Sequence, residues 1–251
     1  MPRARADQRL VDLGLAESRT RAQALILAGK VFAGGRRIEK PGQSVPETAP
    51  LELRGQDHPW VSRGGLKLAH ALDAFALSPA GRVALDIGAS TGGFTDVLLA
   101  RGAARVHAVD VGHGQLAWKL RQDARVVVHE RLNARHLTEE AIGEEIGALT
   151  CDASFIGLAT VLPAPLALCA PGAWAVALIK PQFEAGREAV GRGGVVRDAA
   201  VHAAVCARVR AWWAGLPGWR VLGIADSPIT GPEGNREFLI AAVRDGVTGM
   251  T

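Results

Sequence analysis

From Leu66 onward the chain alternates helix-period segments with short apolar runs. Apolar spacing predicts helices near 66–76, 93–101, 115–121, 138–146, 157–168 and 198–214. The runs between them predict strands at 83–87, 105–109, 125–129, 148–151, 173–179, 219–225 and 237–243. Such alternation implies an α/β domain with a mostly parallel seven-stranded sheet and helices on both faces. The last two strands, joined by "DSPITGPEGNR", are also readable as an antiparallel hairpin at the sheet edge. The first fifty or so residues are patterned differently. Helical spacing runs from Asp7 to Leu15 and from Ser18 to Ala28, with Ser18 as N-cap and Gly29 as stop. Short strand signals at Val31-Phe32, Arg36 to Ile38 and Leu51 to Leu53 follow, separated by turns. This predicts a small α+β domain over 1–57, a linker over 58–61 and the α/β domain over 62–251. Trp60, in the linker, is readable as a docking aromatic or as a partly buried residue.

The most apolar run, Leu162 to Ile179, is interrupted by Pro163, Pro165 and Pro171-Gly172, so it reads as helix, turn and strand, and no membrane span is expected. The charged start "MPRARADQRL" is no secretory signal, and the expected compartment is the cytoplasm. Cys151, Cys169 and Cys206 have neither metal-ligand nor disulfide spacing; small buried apolar residues are expected there, and no metal. Charge is unevenly spread: residues 1–60 hold ten Lys/Arg against seven Asp/Glu, and the rest nineteen against eighteen. A basic appendage beside a near-neutral larger domain fits a polyanion-binding module on an enzyme.

After the strand "VALDI" comes "GASTGGF" and then a helix, which places a glycine-rich turn at the C-terminal end of a parallel strand, where open α/β sheets bind ligands. Gly88, Gly92 and Gly93 allow close backbone approach, and Asp110, ending the second strand, is placed for a ribose diol. Asp86 precedes the glycines, and the loop is not spelled G-x-G-x-x-G. A carboxylate there disfavours a pyrophosphate and suits a cationic amino-acid end, so S-adenosylmethionine is expected rather than a nicotinamide dinucleotide. The segment after the fourth strand, "CDASFI", lacks the Asn/Asp-Pro-Pro-aromatic motif of amine methylation, and Cys151 lacks the Pro-Cys context of carbon-5 methylation. A hydroxyl acceptor remains, whose proton must leave as the methyl arrives. A positioned amine can take that proton or stabilise the oxyanion, and lysine suits the role, because its amine can be deprotonated whereas a guanidinium cannot. The chain has five lysines among 29 basic residues, and Lys180, ending an apolar strand at the ligand edge, is singled out from Lys67 and Lys119.

The N-terminal segment "RLVDLGLAESRTRAQALILAGKVFAGGRRIEKPGQSV" resembles the S4 RNA-binding domain. That resemblance implies phosphate contacts at Arg3, Arg5, Arg19, Arg21, Lys30, Arg36 and Arg37. Farther on, "VSRGGLKL", "LDIGASTGGFTDVLL", "VDVGHGQLAWKLR", "CDASFIGLATVLP", "LIKPQFEAG" and "GPEGNREFL" together resemble the TlyA family, ribosomal-RNA ribose 2′-O-methyltransferases once described as haemolysins and related to FtsJ. The resemblance implies a Rossmann-like class I methyltransferase fold and a Lys-Asp-Lys-Glu tetrad at Lys67, Asp152, Lys180 and Glu237. Lys180 would act on the ribose hydroxyl, Asp152 and Glu237 would tune the lysines, and Lys67 would orient the acceptor. The cofactor would contact Asp86, Gly88, Ala89, Ser90, Thr91, Gly92, Gly93, Phe94, Asp110, Val111, Asn133 and Asp152, and Arg63, Arg131 and Arg187 would grip RNA. Phe155 is readable as a stacking aromatic, with core as the default for an apolar residue. The implied partner is ribosomal RNA or a ribosomal subunit, large and in some members also small, with the protein acting as a monomer. Three rivals fit less well. A cytolysin needs an amphipathic membrane segment, a pseudouridine synthase needs a Gly-Arg-Leu-Asp setting, and a non-catalytic RNA binder has no use for the tetrad.

Overall fold

The computed structural model describes residues 2–16, 18–54, 58–191, 193–231 and 234–246; the side chain of Arg187, and Gly55 to Asp57 of the expected domain boundary, lie outside the described residues. Two units form, Met1–Pro59 with Ala117–Gln122, and Trp60–Leu116 with Asp123–Thr251.

In the first unit β1 (Arg3–Arg5) leads into α1 (Ala6–Asp12), followed by α2 (Arg19–Leu27). Ser18 caps α2 by accepting from the Arg21 N–H, which satisfies one of the donors a helix start leaves unpaired. α1 stops short of Leu15 because Gly14 turns the chain at a φ of +67°. Then come β2 (Val31–Ala33), β3 (Arg36–Arg37), β4 (Ser44–Pro46) and β5 (Leu51–Leu53). β2 lies between β3 and β5 in one antiparallel sheet, and β4 pairs with β1. Leu10, Ala22, Ile26, Val31, Ile38 and Val45 fill the core. Two buried polar groups fix this small unit. Arg9 donates to the carbonyls of Pro46 and Ala49, and Asp7 accepts from Arg5, Arg19 and Gln23. Those donors, Arg5 foremost, hold the Asp7 carboxyl well below the usual carboxylate range.

The second unit opens with α3 (Gly64–Ala74), β6 (Val83–Ile87), α4 (Gly93–Ala100) and β7 (Arg105–Asp110). After α5 (Trp118–Arg121), which counts with the first unit, come β8 (Val126–Glu130), α6 (Glu139–Ile142), β9 (Ile146–Cys151), α7 (Leu158–Val161) and α8 (Pro163–Ala167). β10 (Cys169–Ile179), α9 (Pro181–Glu184), α10 (Ala199–Ala214), β11 (Trp219–Asp226) and β12 (Phe238–Arg244) complete it. The sheet order is β11-β12-β10-β9-β6-β7-β8. β8, β7, β6, β9 and β10 run parallel, and β12 is antiparallel to both its neighbours.

Besides α1, and α5, which covers only Trp118–Arg121 of the expected 115–121, three elements differ from the pattern read in the sequence for a local reason. The helix expected over 138–146 is one turn, because Gly143 ends it at a φ of +76°. The helix expected over 157–168 is two short ones, with Pro163, which has no N–H to give, at the start of the second. β10 begins at Cys169, ahead of the Pro171-Gly172 turn, and its register against β9 shifts between Cys169 and Trp174. Leu85, Leu149, Ala175 and Ile240 from the strands pack with Val205, Val209 and Trp213 of α10. No helix among the described residues is long and apolar enough to cross a membrane. The topology sets one edge apart. β6, β7, β9 and β10 end there, and antiparallel β12 begins there, with Phe238 opposite Ile179.

Candidate active site

The loop after β6 is shaped by its glycines. Gly88 has a φ of +78°, and a Cβ on it would lie 3.0 Å from the Asp152 carbonyl. Glycine is required there on both counts. A Cβ on Gly93 would meet the Gly65 nitrogen at 2.9 Å, so the start of α4 packs backbone against backbone on α3. Trp60 lies where a side chain on Gly65 would go, which settles it as a half-buried packing residue within this unit. Asp110 fixes the loop from the neighbouring strand, accepting from the N–H of Ser90 at 2.8 Å and of Gly112 at 2.7 Å.

The cofactor residues expected from the sequence fall into two groups. Gly88, Ser90, Thr91, Asp110, Val111 and Asn133 are accessible; Val111 is 68% exposed, and the Asn133 side chain accepts from the N–H of Arg135. Asp86, Ala89, Gly92, Gly93 and Phe94 are buried. The Asp86 carboxylate accepts from Thr95 at 2.7 Å and Thr150 at 3.0 Å, tying β6 to α4 and β9. Complete burial pushes its carboxyl up to about 6 against the pull of both hydroxyls. Asp86 therefore supports the loop from beneath. Nothing in "VALDI" announced the two threonines.

Beside this loop, side chains from four elements meet. Lys67 comes from α3, Asp152 follows β9, Lys180 follows β10, and Glu237 precedes β12. Lys180 Nζ lies 2.5 Å from Asp152 Oδ1, and Lys67 Nζ lies 3.8 Å from Asp152 Oδ2 and 2.6 Å from Glu237 Oε2. Lys67 and Lys180 are each 7% exposed and Glu237 3%. Charges are buried at such a level only when paired. Lys180 also donates to the Asp152 carbonyl at 3.2 Å and to Ser154 Oγ at 2.9 Å, a partner the sequence reading did not assign. Cys151, one residue from Asp152, is fully buried, and burial pushes its thiol up to about 12, so it has no nucleophilic character.

Phe155 departs from its expected place in the core. It is 89% exposed and held at a φ of +64°, with its ring 5.0 Å from that of Phe183. Glu184 anchors the same loop by accepting from the N–H of Leu158 at 2.7 Å. Glu237 also lines a hollow of 240 Å³, together with Ser227, Pro228, Ile229, Thr230 and Arg236, among others.

The basic residues are a mixed set. Arg21, Arg36, Arg37, Arg63 and Arg131 are exposed, Arg131 at a φ of +56°, and Lys30 is half-buried. Arg3 donates to the Ser44 carbonyl, and Arg5 and Arg19 are turned to Asp7, so these three already have protein partners. The backbone of Arg187 lies in a single 3-10 turn.

Residues 60–244 match the FtsJ-like methyltransferase family, and residues 5–49 match the S4 domain. The chain is 52% identical to the 16S/23S rRNA (cytidine-2′-O)-methyltransferase TlyA of Mycobacterium tuberculosis, over 95% of its own length and 89% of the relative's. It is 39% identical to the hemolysin A of Brachyspira hyodysenteriae, over 94% and 98% of the two chains. Among solved structures, one described as a "putative hemolysin" from Streptococcus thermophilus is 44% identical and superposes with a TM-score of 0.75, covering 98% of this chain and 90% of that one.

Proposed function

The chain belongs to the FtsJ-like methyltransferase family, and from that premise we propose that it methylates the ribose 2′-hydroxyl of a cytidine in ribosomal RNA of the large subunit, with the small subunit as an open second acceptor. In this reading residues 1–57 bind RNA and residues 62–251 carry the reaction. The observation that carries it is the buried Lys67-Asp152-Lys180-Glu237 network at the ligand edge of the sheet.

The enzyme is dependent on S-adenosylmethionine. When bound, that group supplies an electrophilic methyl on its sulfonium. The strand-end loops fit it. Gly88 lets the loop close onto the Asp152 backbone, where a Cβ would be excluded, Asp110 keeps a carboxylate at the loop's rim, and Val111 offers an apolar surface beside it. The acceptor hydroxyl loses its proton as its oxygen gains the methyl. Lys180 Nζ takes that proton, and Asp152, 2.5 Å away, stabilises the ammonium that results. Lys67, held by Glu237, keeps Asp152 aligned and orients the acceptor. Phe155, exposed beside Lys180's loop, supports the base of the target nucleotide by stacking.

Tritium transfer from labelled S-adenosylmethionine to purified unmethylated 30S and 50S subunits tests the proposal, with ribose-sensitive primer extension locating the product. Label in a cytidine ribose, lost in Lys180→Ala, is expected. Label in neither subunit, with cofactor binding intact, refutes ribosomal RNA as acceptor.

A further inference from the structure

Three protein acceptors surround Lys180 Nζ: Asp152 Oδ1 at 2.5 Å, the Asp152 carbonyl at 3.2 Å and Ser154 Oγ at 2.9 Å. An ammonium has three N–H donors; the Asp152 carbonyl and Ser154 Oγ accept two of them, and Asp152 Oδ1 pairs with the charge. A neutral amine has two N–H donors and one lone pair. The Asp152 carbonyl can only accept, whereas Ser154 Oγ, 2.9 Å away, can turn its proton to that lone pair, because a hydroxyl both donates and accepts. Access points the same way. Lys180 is 7% exposed, whereas Ser154 is exposed and sits next to Phe155 with its +64° φ. The other titratable groups around the amine, Asp152, Lys67, Glu237 and Cys151, are buried or paired within the network.

We propose that Ser154 is a catalytic residue, a hydroxyl relay between the acceptor ribose and Lys180. As the ribose oxygen bonds to the methyl and the sulfur–methyl bond breaks, the ribose proton passes to Ser154 Oγ. The proton that Oγ carried passes to the Lys180 lone pair. Ser154 ends as the neutral hydroxyl it began as, and Lys180 ends as an ammonium facing Asp152. The relay rests on the reading of Lys180 as proton acceptor given above.

The test is single-turnover methyl transfer to unmethylated 50S and 30S subunits at saturating S-adenosylmethionine, comparing wild type, Ser154→Ala, Ser154→Thr and Lys180→Ala, with cofactor affinity measured for each. Residue 154 is exposed, so both substitutions fit. Ser154→Ala is expected to bind the cofactor normally and to lose about 100-fold in rate, the scale of a general acid–base contribution. Ser154→Thr, which keeps the hydroxyl, is expected to restore most of it. A loss below about ten-fold in Ser154→Ala, or one that threonine does not restore, overturns the relay. Wild-type activity in Lys180→Ala overturns the reading of Lys180 itself, whereas an inactive Lys180→Ala beside an active Ser154→Ala overturns the relay alone.

Discussion

Replacing Glu237 by alanine removes the carboxylate 2.6 Å from the Lys67 ammonium and leaves that charge with Asp152 at 3.8 Å, a partner it shares with Lys180. At an effective dielectric of 20, two unit charges at 2.6 Å attract by about 6 kcal/mol. Desolvating both groups offsets much of that gain, so the pair as a whole contributes little net stability, whereas an orphaned partner costs about 3 kcal/mol. Glu237→Ala and Lys67→Met are each expected to lose that amount, a fall in melting temperature of roughly 6–12 °C for a domain of this size. Lys67→Met combined with Glu237→Ala removes both charges, and is expected to regain at least half of the summed loss while remaining inactive. Urea unfolding of the four proteins, with methyl transfer on the same samples, measures the cycle. If the single losses add to within about 0.5 kcal/mol in the double variant, the two groups do not behave as a coupled buried pair and the reasoning fails.

Three other outcomes follow from the geometry. Asp86 has its folded carboxyl raised to about 6 from 3.8, so the folded state binds more protons over that window and the buried charge costs stability as pH rises through it. Asp86→Asn, still able to bond both threonine hydroxyls, is expected to melt higher than wild type at pH 8 by more than at pH 4; an equal difference at both would show that the buried charge is not the cause. Asn235 is 1% exposed and bridges the Val196 N–H and the Gly194 carbonyl, so Asn235→Ala is expected to cost about 1–3 kcal/mol and to speed amide exchange at Val196; unchanged exchange there would dismiss the bridge. Phe155→Ala is expected to leave melting temperature and cofactor affinity unchanged while weakening RNA-dependent transfer by the about 1–3 kcal/mol of a base–aromatic stack; a melting temperature several degrees lower would assign Phe155 to packing instead.

The sheet was legible in the sequence because every parallel strand is a short apolar run between helix-period segments. "VALDI", "RVHAVD" and the run ending at Ile179 land within a few residues of their strands. What periodicity could not convey is order. Nothing in the pattern of 219–225 and 237–243 says that the second strand inserts between the first and β10, since that depends on which edge is free to pair. Burial of polar residues was equally hidden. Asp7 looks like an ordinary acidic residue in a first helical turn, and only the fold brings Arg5, Arg19 and Gln23 around it. Ser154 and Phe155 were read as part of a strand-end segment. The turn that exposes Phe155 and points Ser154 at Lys180 depends on Glu184 holding Leu158 from twenty-six residues away.

The tetrad shows why general placement rules reached Lys180 and stopped. A parallel strand offers ligands the residue just past its C-terminal end, which describes Asp152 after β9 and Lys180 after β10. Glu237 obeys the same geometry in reverse. β12 is antiparallel to β10, so the end it brings to that edge is its beginning, and the register that sets Phe238 opposite Ile179 sets Glu237 level with Lys180. A search for acidic residues at strand C-termini passes over it. Lys67 is not on the sheet at all; it reaches the network because α3 packs on the start of α4 through Gly65 and Gly93. A Cβ on Gly93 would press on the first residues of α3, the helix that carries Lys67. Reading this site from sequence therefore required the family resemblance for three of its four residues, and for Glu237 and Lys67 the reason lies in strand direction and helix approach rather than in the chemistry of the residues.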